Sequence, residues 1–317
     1  MKVLVTGGAG FIGSHLTDSL ILSNDEITVV DNFSTGNINN LDHAKSKINI
    51  IDGDIRDQNL IERTVSEVDL VFHMAAALGV SNILNSTIDS ISVNITGSDV
   101  VLKAAAKYDK RIVIASTSEI YGKNDKQPLS ETDDRVIGSP QKIRWSYSDA
   151  KAIEEATATV LYQTRGLGVT TIRLFNTVGP RQKGQYGMVV PRFVQNALTE
   201  QPLNIYGDGK QTRVFCHVSD VIDALLKITK TDNSIGEVYN LGGVGEISIN
   251  ELAQKVIQIT NSISKIEYTP YDKAYPFGFE DMLRRVPDIT KLKRVINWEP
   301  KKNLDHIIVD IMKFLQQ

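Results

Sequence analysis

The sequence predicts an α/β protein built on a doubly wound parallel sheet, with a smaller C-terminal α/β lobe for a substrate. Three observations predict it. Short, nearly continuous apolar runs alternate with longer amphipathic stretches through the first half. A glycine-rich turn follows the first of those runs at once. The second half is less regular and is interrupted by glycine and proline. Apolar runs of four to six residues read as strands buried on both sheet faces. Alternating βα units set such strands parallel, with helices on either side.

The elements follow in order. Lys2–Thr6, Ile27–Asp31, Ile48–Ile51, Asp69–His73, Arg111–Ser116 and Val169–Leu174 read as strands. Helices are expected between them near 11–23, 57–67, 91–107 and 148–165. The sheet domain is expected over residues 1–175 and the lobe over 176–317, with some lobe segments returning to the first domain. Helical periodicity recurs near 188–199, 218–230, 249–260 and 302–316. Ser248 and Glu251 have the spacing of a capping box at the start of the third of these. No repeat, low-complexity tract or linker separates the halves, so the lobe is expected to pack directly on the sheet.

Composition narrows the function without naming it. A chain of 317 residues suits about two domains. Its 35 basic and 38 acidic residues leave a net charge of −3. That balance argues against a nucleic-acid partner. No apolar run is long enough for a transmembrane helix, and Thr6 and Gly7 arrive too early for a secretory leader. A cytoplasmic protein without a membrane partner is the expectation. The single cysteine, Cys216, rules out an internal disulfide and a cysteine-based zinc cluster, and is expected in the core. No spacing of His, Cys and carboxylates suggests a metal.

The first βα turn carries the first chemistry. Gly7, Gly10 and Gly13 form a GxxGxxG pattern between a strand and a helix. One glycine permits the tight turn, one admits a diphosphate to the backbone, and one lets the helix pack close. The helix N-terminus then offers free N–H groups to the phosphates. Glycines alone also make plain turns. Asp31 adds the second half of the pattern, ending the second strand 18 residues after Gly13. A carboxylate there accepts both hydroxyls of an adenosine ribose and repels a 2′-phosphate. Asn32, Phe33 and Ser34 add no arginine. NAD is therefore the expected cofactor, in a Rossmann-type domain. Its expected wall comprises Gly7, Gly10, Phe11, Ile12, Gly13, Asp31, Asn32, Ser34 and Ser116, with Asp54 and Ile55 near the adenine.

Tyr147 and Lys151 form Tyr-x-x-x-Lys on an expected helix, which puts both on one face. A tyrosine with a pKa near 10 must fall by about three units, or about 4 kcal/mol, to act as a base near neutrality. A neighbouring ammonium and a cationic nicotinamide can stabilise the phenolate. Lys151 can also hold the nicotinamide ribose. The fifth strand ends in Ser116, Thr117, Ser118 and Glu119, at the carboxyl edge where ligands bind in open α/β sheets. A hydroxyl there can share the substrate proton with Tyr147. Glu119 can act as acid or base, or orient a water.

These motifs, with His73-Met74-Ala75-Ala76 and Thr117-Ser118-Glu119-Ile120-Tyr121-Gly122, resemble the extended short-chain dehydrogenase/reductases. More narrowly, the chain resembles their nucleotide-sugar epimerase, dehydratase and decarboxylase group, nearly end to end. The resemblance adds Ala75 and Ala76 to the cofactor wall and Asn94 as a bond to active-site backbone. It implies that Asn176, in Phe175-Asn176-Thr177-Val178-Gly179-Pro180-Arg181, binds a substrate diphosphate with Arg181 close by. Arg213, closing Tyr206–Arg213, would contact nucleotide phosphates, and Arg285 the sugar. Trp298-Glu299-Pro300 is similar to the group's C-terminal signature. A homodimer through the helices near 91–107 and 148–165 is also implied.

The shared chemistry implied is oxidation of a UDP-sugar at C4, with the proton going to Tyr147. Dehydratases of the group carry Thr-Asp-Glu where this chain has Thr117-Ser118-Glu119, which disfavours 4,6-dehydration. Thr-Ser-Glu with Arg144-Trp145-Ser146-Tyr147-Ser148 resembles UDP-glucuronate decarboxylases. The same segment, with Phe279-Glu280-Asp281-Met282 and Arg285-Val286-Pro287-Asp288, also resembles UDP-sugar 4-epimerases. The sequence reading prefers a 4-epimerase on UDP-glucose/galactose or UDP-glucuronate/galacturonate, with the decarboxylase as its alternative. An NAD-binding regulator without chemistry is a third class, opposed by the intact Thr117, Tyr147 and Lys151.

Overall fold

A computed structural model of the chain describes residues 1–77, 87–184, 188–274, 280 and 282–317. Phe279 and Asp281 of the epimerase-like stretch lie outside them. The strands are β1 Lys2–Thr6, β2 Glu26–Asp31, β3 Asn49–Asp52, β4 Leu70–His73, β5 Arg111–Thr117, β6 Val169–Leu174, β7 Thr177–Val178, β8 Leu203–Tyr206, β9 Thr212–Arg213, β10 Cys216–His217, β11 Val238–Leu241, β12 Ile247–Ser248 and β13 Ile266–Thr269. Seven form one sheet in the order β11-β6-β5-β4-β1-β2-β3, every pair parallel. The order reverses between β1 and β4, which is where a doubly wound sheet opens its ligand crevice.

Alternation along each strand explains why both faces need helices. Val3 and Val5 enter one core cluster while Leu4 enters the other. Val29 and Val30 divide the same way, as do Phe72 and Val71. The helices are α1 Phe11–Leu22, α2 Gln58–Ser66, α3 Thr87–Ser92, α4 Ser98–Lys107, α5 Ser146–Arg165, α6 Val189–Leu198, α7 Val218–Ile228, α8 Ile249–Thr260, α9 Tyr271–Ala274, α10 Thr290–Ile296 and α11 Leu304–Leu315. Leu16 and Leu20 of α1 join the first cluster with Val221, Ile222 and Leu225 of α7. Ile61 of α2, Val101 and Leu102 of α4, and Ala158 and Leu161 of α5 join the second. A third cluster lies wholly in the second half. It gathers Phe193 of α6, Leu203 and Ile205 of β8, Leu252 and Val256 of α8, and Ile307 of α11.

The expected elements are present with shifted ends. The helix expected near 91–107 begins earlier, at Thr87, and passes through a π-helical turn at Val93–Gly97 before α4. The helix expected near 148–165 begins at Ser146, so Tyr147 lies in its first turn. Ser248 and Glu251 do form a capping box. Several elements have no counterpart among the expected ones, β8, β13, β11 and α10 among them. β11 is four residues long and holds a polar Asn240, so its apolar run is too short to stand out. It nevertheless supplies the edge of the main sheet beside β6. The helix α10 is a seven-residue basic segment with one buried leucine, Leu292. Through β11, α7 and Trp298, the second half contributes to the first core.

Candidate functional site

The crevice at the carboxyl ends of β1, β2, β4 and β5 is a cleft of about 600 Å³ that continues between sheet and lobe. A volume of that order suits a small-molecule site. Gly7 sits at φ +71°, and a Cβ there would stand 2.7 Å from the backbone of Ala75. At Gly13 a Cβ would stand 2.1 Å from the carbonyl oxygen of Gly7. The turn can therefore be this tight only without side chains. α1 starts after Gly10, with its N-terminal N–H groups turned to the cleft wall formed by Gly10, Phe11, Ile12 and Gly13.

Asp31 ends β2 and is buried. Its carboxylate accepts N–H bonds from Ala9 at 2.9 Å and Phe33 at 2.8 Å. Burial raises its pKa, and those two N–H groups oppose the rise. The carboxylate is thus fixed in direction and lines the cleft, as a ribose-binding acid must. Asn32, Ser34, Ile55, Ala75, Ala76 and Ser116 line it as well. Asn94 bonds both the N–H and the carbonyl of Ala77, at 3.0 and 2.8 Å, and so holds the loop after β4. Glycine cradle, oriented acid and apolar wall together fit NAD.

Two expected cofactor residues stand elsewhere. Asp54 is not part of the cleft wall. It forms a two-oxygen contact with Arg56 and accepts a bond from Asn32. The Arg56 hydrogen bonds, outweighing some burial, hold its carboxyl down at about 2. Lys151 is also behind the wall, 1% exposed. Its ammonium donates to the Ala115 carbonyl at 2.9 Å and to Glu154 at 2.6 Å. Lys151 is therefore held by a carboxylate the Tyr-x-x-x-Lys pattern does not contain.

The end of the cleft at β5 is compact. Thr117 accepts the N–H of Glu119 at 3.1 Å and is hydrogen-bonded to Tyr147. Burial, then the charges of Glu119 and Glu154, push the Tyr147 phenol upward, and the Thr117 bond opposes them. Glu119 lies between two arginines, with Arg285 at 2.8 Å and Arg144 at 2.5 Å. Burial acts to raise its pKa, but Arg285 and Arg144 outweigh it and hold the carboxyl at about 2. Glu119 is thus held as a carboxylate between the two guanidinium groups. Ser118 is buried and accepts a 3.3 Å bond from Arg285.

The lobe side of the cleft carries Asn176, Arg181 and Arg213, as expected. Asn176, at φ 25°, donates to the Val214 carbonyl at 2.9 Å. Arg181 is paired with Asp18 at 2.8 Å, and Arg213 donates to the Thr212 carbonyl at 2.9 Å. Arg192 is not among the expected residues, yet it lines the same wall, with its guanidinium 4.4 Å over the Tyr206 ring. Sequence reasoning also assigns Arg144 no role in the site, although its spacing three residues before Tyr147 is visible. His73 is buried, bonded to Thr6 at 2.7 Å and Ser98 at 3.0 Å. His15 bonds the Pro180 carbonyl, and Cys216 is buried. Among the described residues no group of three or more His, Cys, Asp or Glu is placed to hold a metal, and no helix is long and apolar enough to cross a membrane.

Comparison with known proteins places this geometry. Residues 4–311 match the family described as GDP-mannose 4,6 dehydratase. The chain belongs to that family. A relative from Bacillus cytotoxicus, named UDP-N-acetyl-alpha-D-glucosaminuronate decarboxylase, is 43% identical over all of this chain and 98% of its own length. UDP-glucuronic acid decarboxylase 1 of Arabidopsis thaliana is 36% identical over 96% of this chain and 67% of its own. Among solved structures, a UDP-glucuronic acid 4-epimerase from Bacillus cereus, in complex with UDP-glucuronic acid and NAD, superimposes with a TM-score of 0.89. It is 26% identical and covers 100% of this chain and 99% of its own. The family is thus one of NAD-dependent nucleotide-sugar enzymes, and its name does not assign this chain the dehydratase reaction.

Proposed function

We propose that this protein is an NAD-dependent decarboxylase of a UDP-linked hexuronate, with UDP-N-acetylglucosaminuronate its first candidate substrate. The sequence alone prefers a 4-epimerase. The full-length likeness to the Bacillus cytotoxicus decarboxylase moves the preference. The observation on this chain that supports it is the pair Arg144 and Arg285 beside Tyr147, in the cleft wall around Glu119. Two guanidinium groups beside the reacting carbon suit a sugar that carries a carboxylate.

Bound NAD would supply the hydride acceptor for C4 of the sugar. Tyr147 accepts the proton of the C4 hydroxyl while Thr117 holds that oxygen. The resulting ketone lies β to the C6 carboxylate. The C5–C6 bond then breaks, CO₂ leaves, and the bonding electrons move onto the C4 oxygen as an enolate. Tyr147 and Thr117 donate hydrogen bonds to that oxygen, and a proton taken from water at C5 completes the 4-keto pentose. Reduction at C4 would then give the pentose itself. Arg213, Asn176 and Arg181 face the UDP portion in this reading.

The 4-epimerase remains a second reading, because the Bacillus cereus epimerase shares the fold over the whole chain. One assay separates them. The protein is incubated with NAD and, in turn, UDP-N-acetylglucosaminuronate, UDP-glucuronate and UDP-glucose, and the products are separated by chromatography and their masses measured. Loss of CO₂ from a uronate supports the decarboxylase. An isomer of unchanged mass supports the epimerase and overturns the proposal.

The same reading includes a homodimer. The outer face of α5 exposes Ile153 and Val160, seven residues apart, with Ala156 between them. Such a stripe on one helical face is suited to a second copy.

A further inference from the structure

We propose that Glu154 is a positioning residue for the reaction: it clamps Lys151, offsets its charge and thereby sets how readily Tyr147 gives and takes a proton. The inference rests on Tyr147 as the proton acceptor, a step the decarboxylase and the epimerase share.

The geometry is a buried column behind the cleft. Glu154 is 2% exposed and stands three residues beyond Lys151 on α5, one helical turn away. Its Oε2 takes the Lys151 ammonium at 2.6 Å. Its Oε1 lies 3.7 Å from Nε2 of His73. Burial, and then the Lys151 charge, lower the His73 pKa to about 3, so the imidazole stays neutral. His73 therefore supplies no charge to the pair. From β5 and the segment after it, Thr117 and Glu119 face Tyr147, and Arg144 and Arg285 hold Glu119. Farther along α5, Glu155 is paired with Arg173 of β6 at 2.7 Å. Among the described residues, the charge pair made within α5 itself is that of Lys151 and Glu154, behind Tyr147.

A lone ammonium one turn along the same helix would favour the ionised phenol. That suits an enzyme that only removes a proton. A reaction that oxidises C4 and then restores it needs the proton back. Glu154 counters part of the ammonium's pull, so Tyr147 can return what it accepts. Its charge already acts on Tyr147 in that sense, after burial and Glu119.

The test reads Tyr147 directly, without turnover. The NAD-loaded protein is titrated by phenolate absorbance. The chain has ten tyrosines, so the Tyr147→Phe titration is subtracted. Glu154→Gln is expected to lower the Tyr147 midpoint by about one pH unit, a tenfold change, while Glu154→Asp, which keeps the charge, stays nearer the native value. Should Glu154→Gln not fold, Glu154→Met, which also removes the charge and suits a buried site, takes its place, and the same fall of the midpoint is expected. Coincident midpoints, a midpoint that rises, or ionisation beyond the titratable range in both proteins overturns the proposal. Because no substrate is used, that failure leaves the decarboxylase reading standing, and a failed product assay leaves this one standing.

Discussion

Burial and two carboxylates oppose the ionisation of Tyr147, and one hydroxyl favours it. Tyr147→Phe keeps the ring and removes the proton acceptor. Turnover is expected to fall by about 10²–10⁴, with NAD still bound, as measured by product formation and by cofactor released on denaturation. Glu119 makes a second prediction with a definite sign. Its folded pKa of about 2 lies below the ordinary 4.5. Its stabilising contribution is complete above about pH 4.5 and is lost as pH falls through 2. Melting temperatures followed over that window should fall more steeply for the native protein than for Glu119→Gln. Equal slopes would show that the arginine clamp does not set the acid response. Much of this site is legible in the sequence. Asp31 and Thr117 are marked by their places at strand ends, and Tyr147 and Lys151 by their spacing on one helix. Arg144 is not, because what gives it a role, Glu119 and Arg285, comes from other elements; Glu154 stands one turn from Lys151 on the same helix, but Tyr-x-x-x-Lys does not mark its position.

At the scale of elements, the first βα turn is the most constrained piece. A methyl at Gly13 would meet the Gly7 carbonyl at 2.1 Å and the Gly8 Cα at 2.8 Å, both backbone, so nothing nearby can yield cheaply. Gly13→Ala is therefore expected to cost about 1–3 kcal/mol and to weaken NAD binding. A methyl at Gly10 meets only the Gly7 carbonyl, at 3.1 Å. Gly10→Ala should keep most of the stability while narrowing the wall the diphosphate approaches. Denaturant melts and NAD titrations of the two variants check the contrast, and a Gly13→Ala protein as stable as the native one would sink it. The strands of the first half are legible because nearly all their residues are apolar, for one face or the other. β11 is not, because a four-residue strand is recognised only through its pairing with β6.

The whole molecule is legible only in part from local pattern, since its halves are joined by contacts far apart in sequence. Trp298, near the C-terminus, is buried in the same cluster as Val3 and Phe72, and its indole N–H donates to the Asp220 carbonyl at 3.1 Å. The outside of the molecule presents a different surface. Ile153 is 48% exposed and Val160 54%, on a helix whose inner face holds Lys151, Glu154 and Glu155. A dimer through this face would cover that stripe and brace the helix that carries Tyr147. Ile153→Glu with Val160→Glu should then shift the mass in light scattering from dimer to monomer, because like charges would be brought together in an apolar interface. The column behind α5 is not touched by these changes, so the Tyr147 titration should keep its midpoint. A native protein that scatters as a monomer at working concentration would overturn the dimer, and a double variant that stays dimeric would place the interface elsewhere.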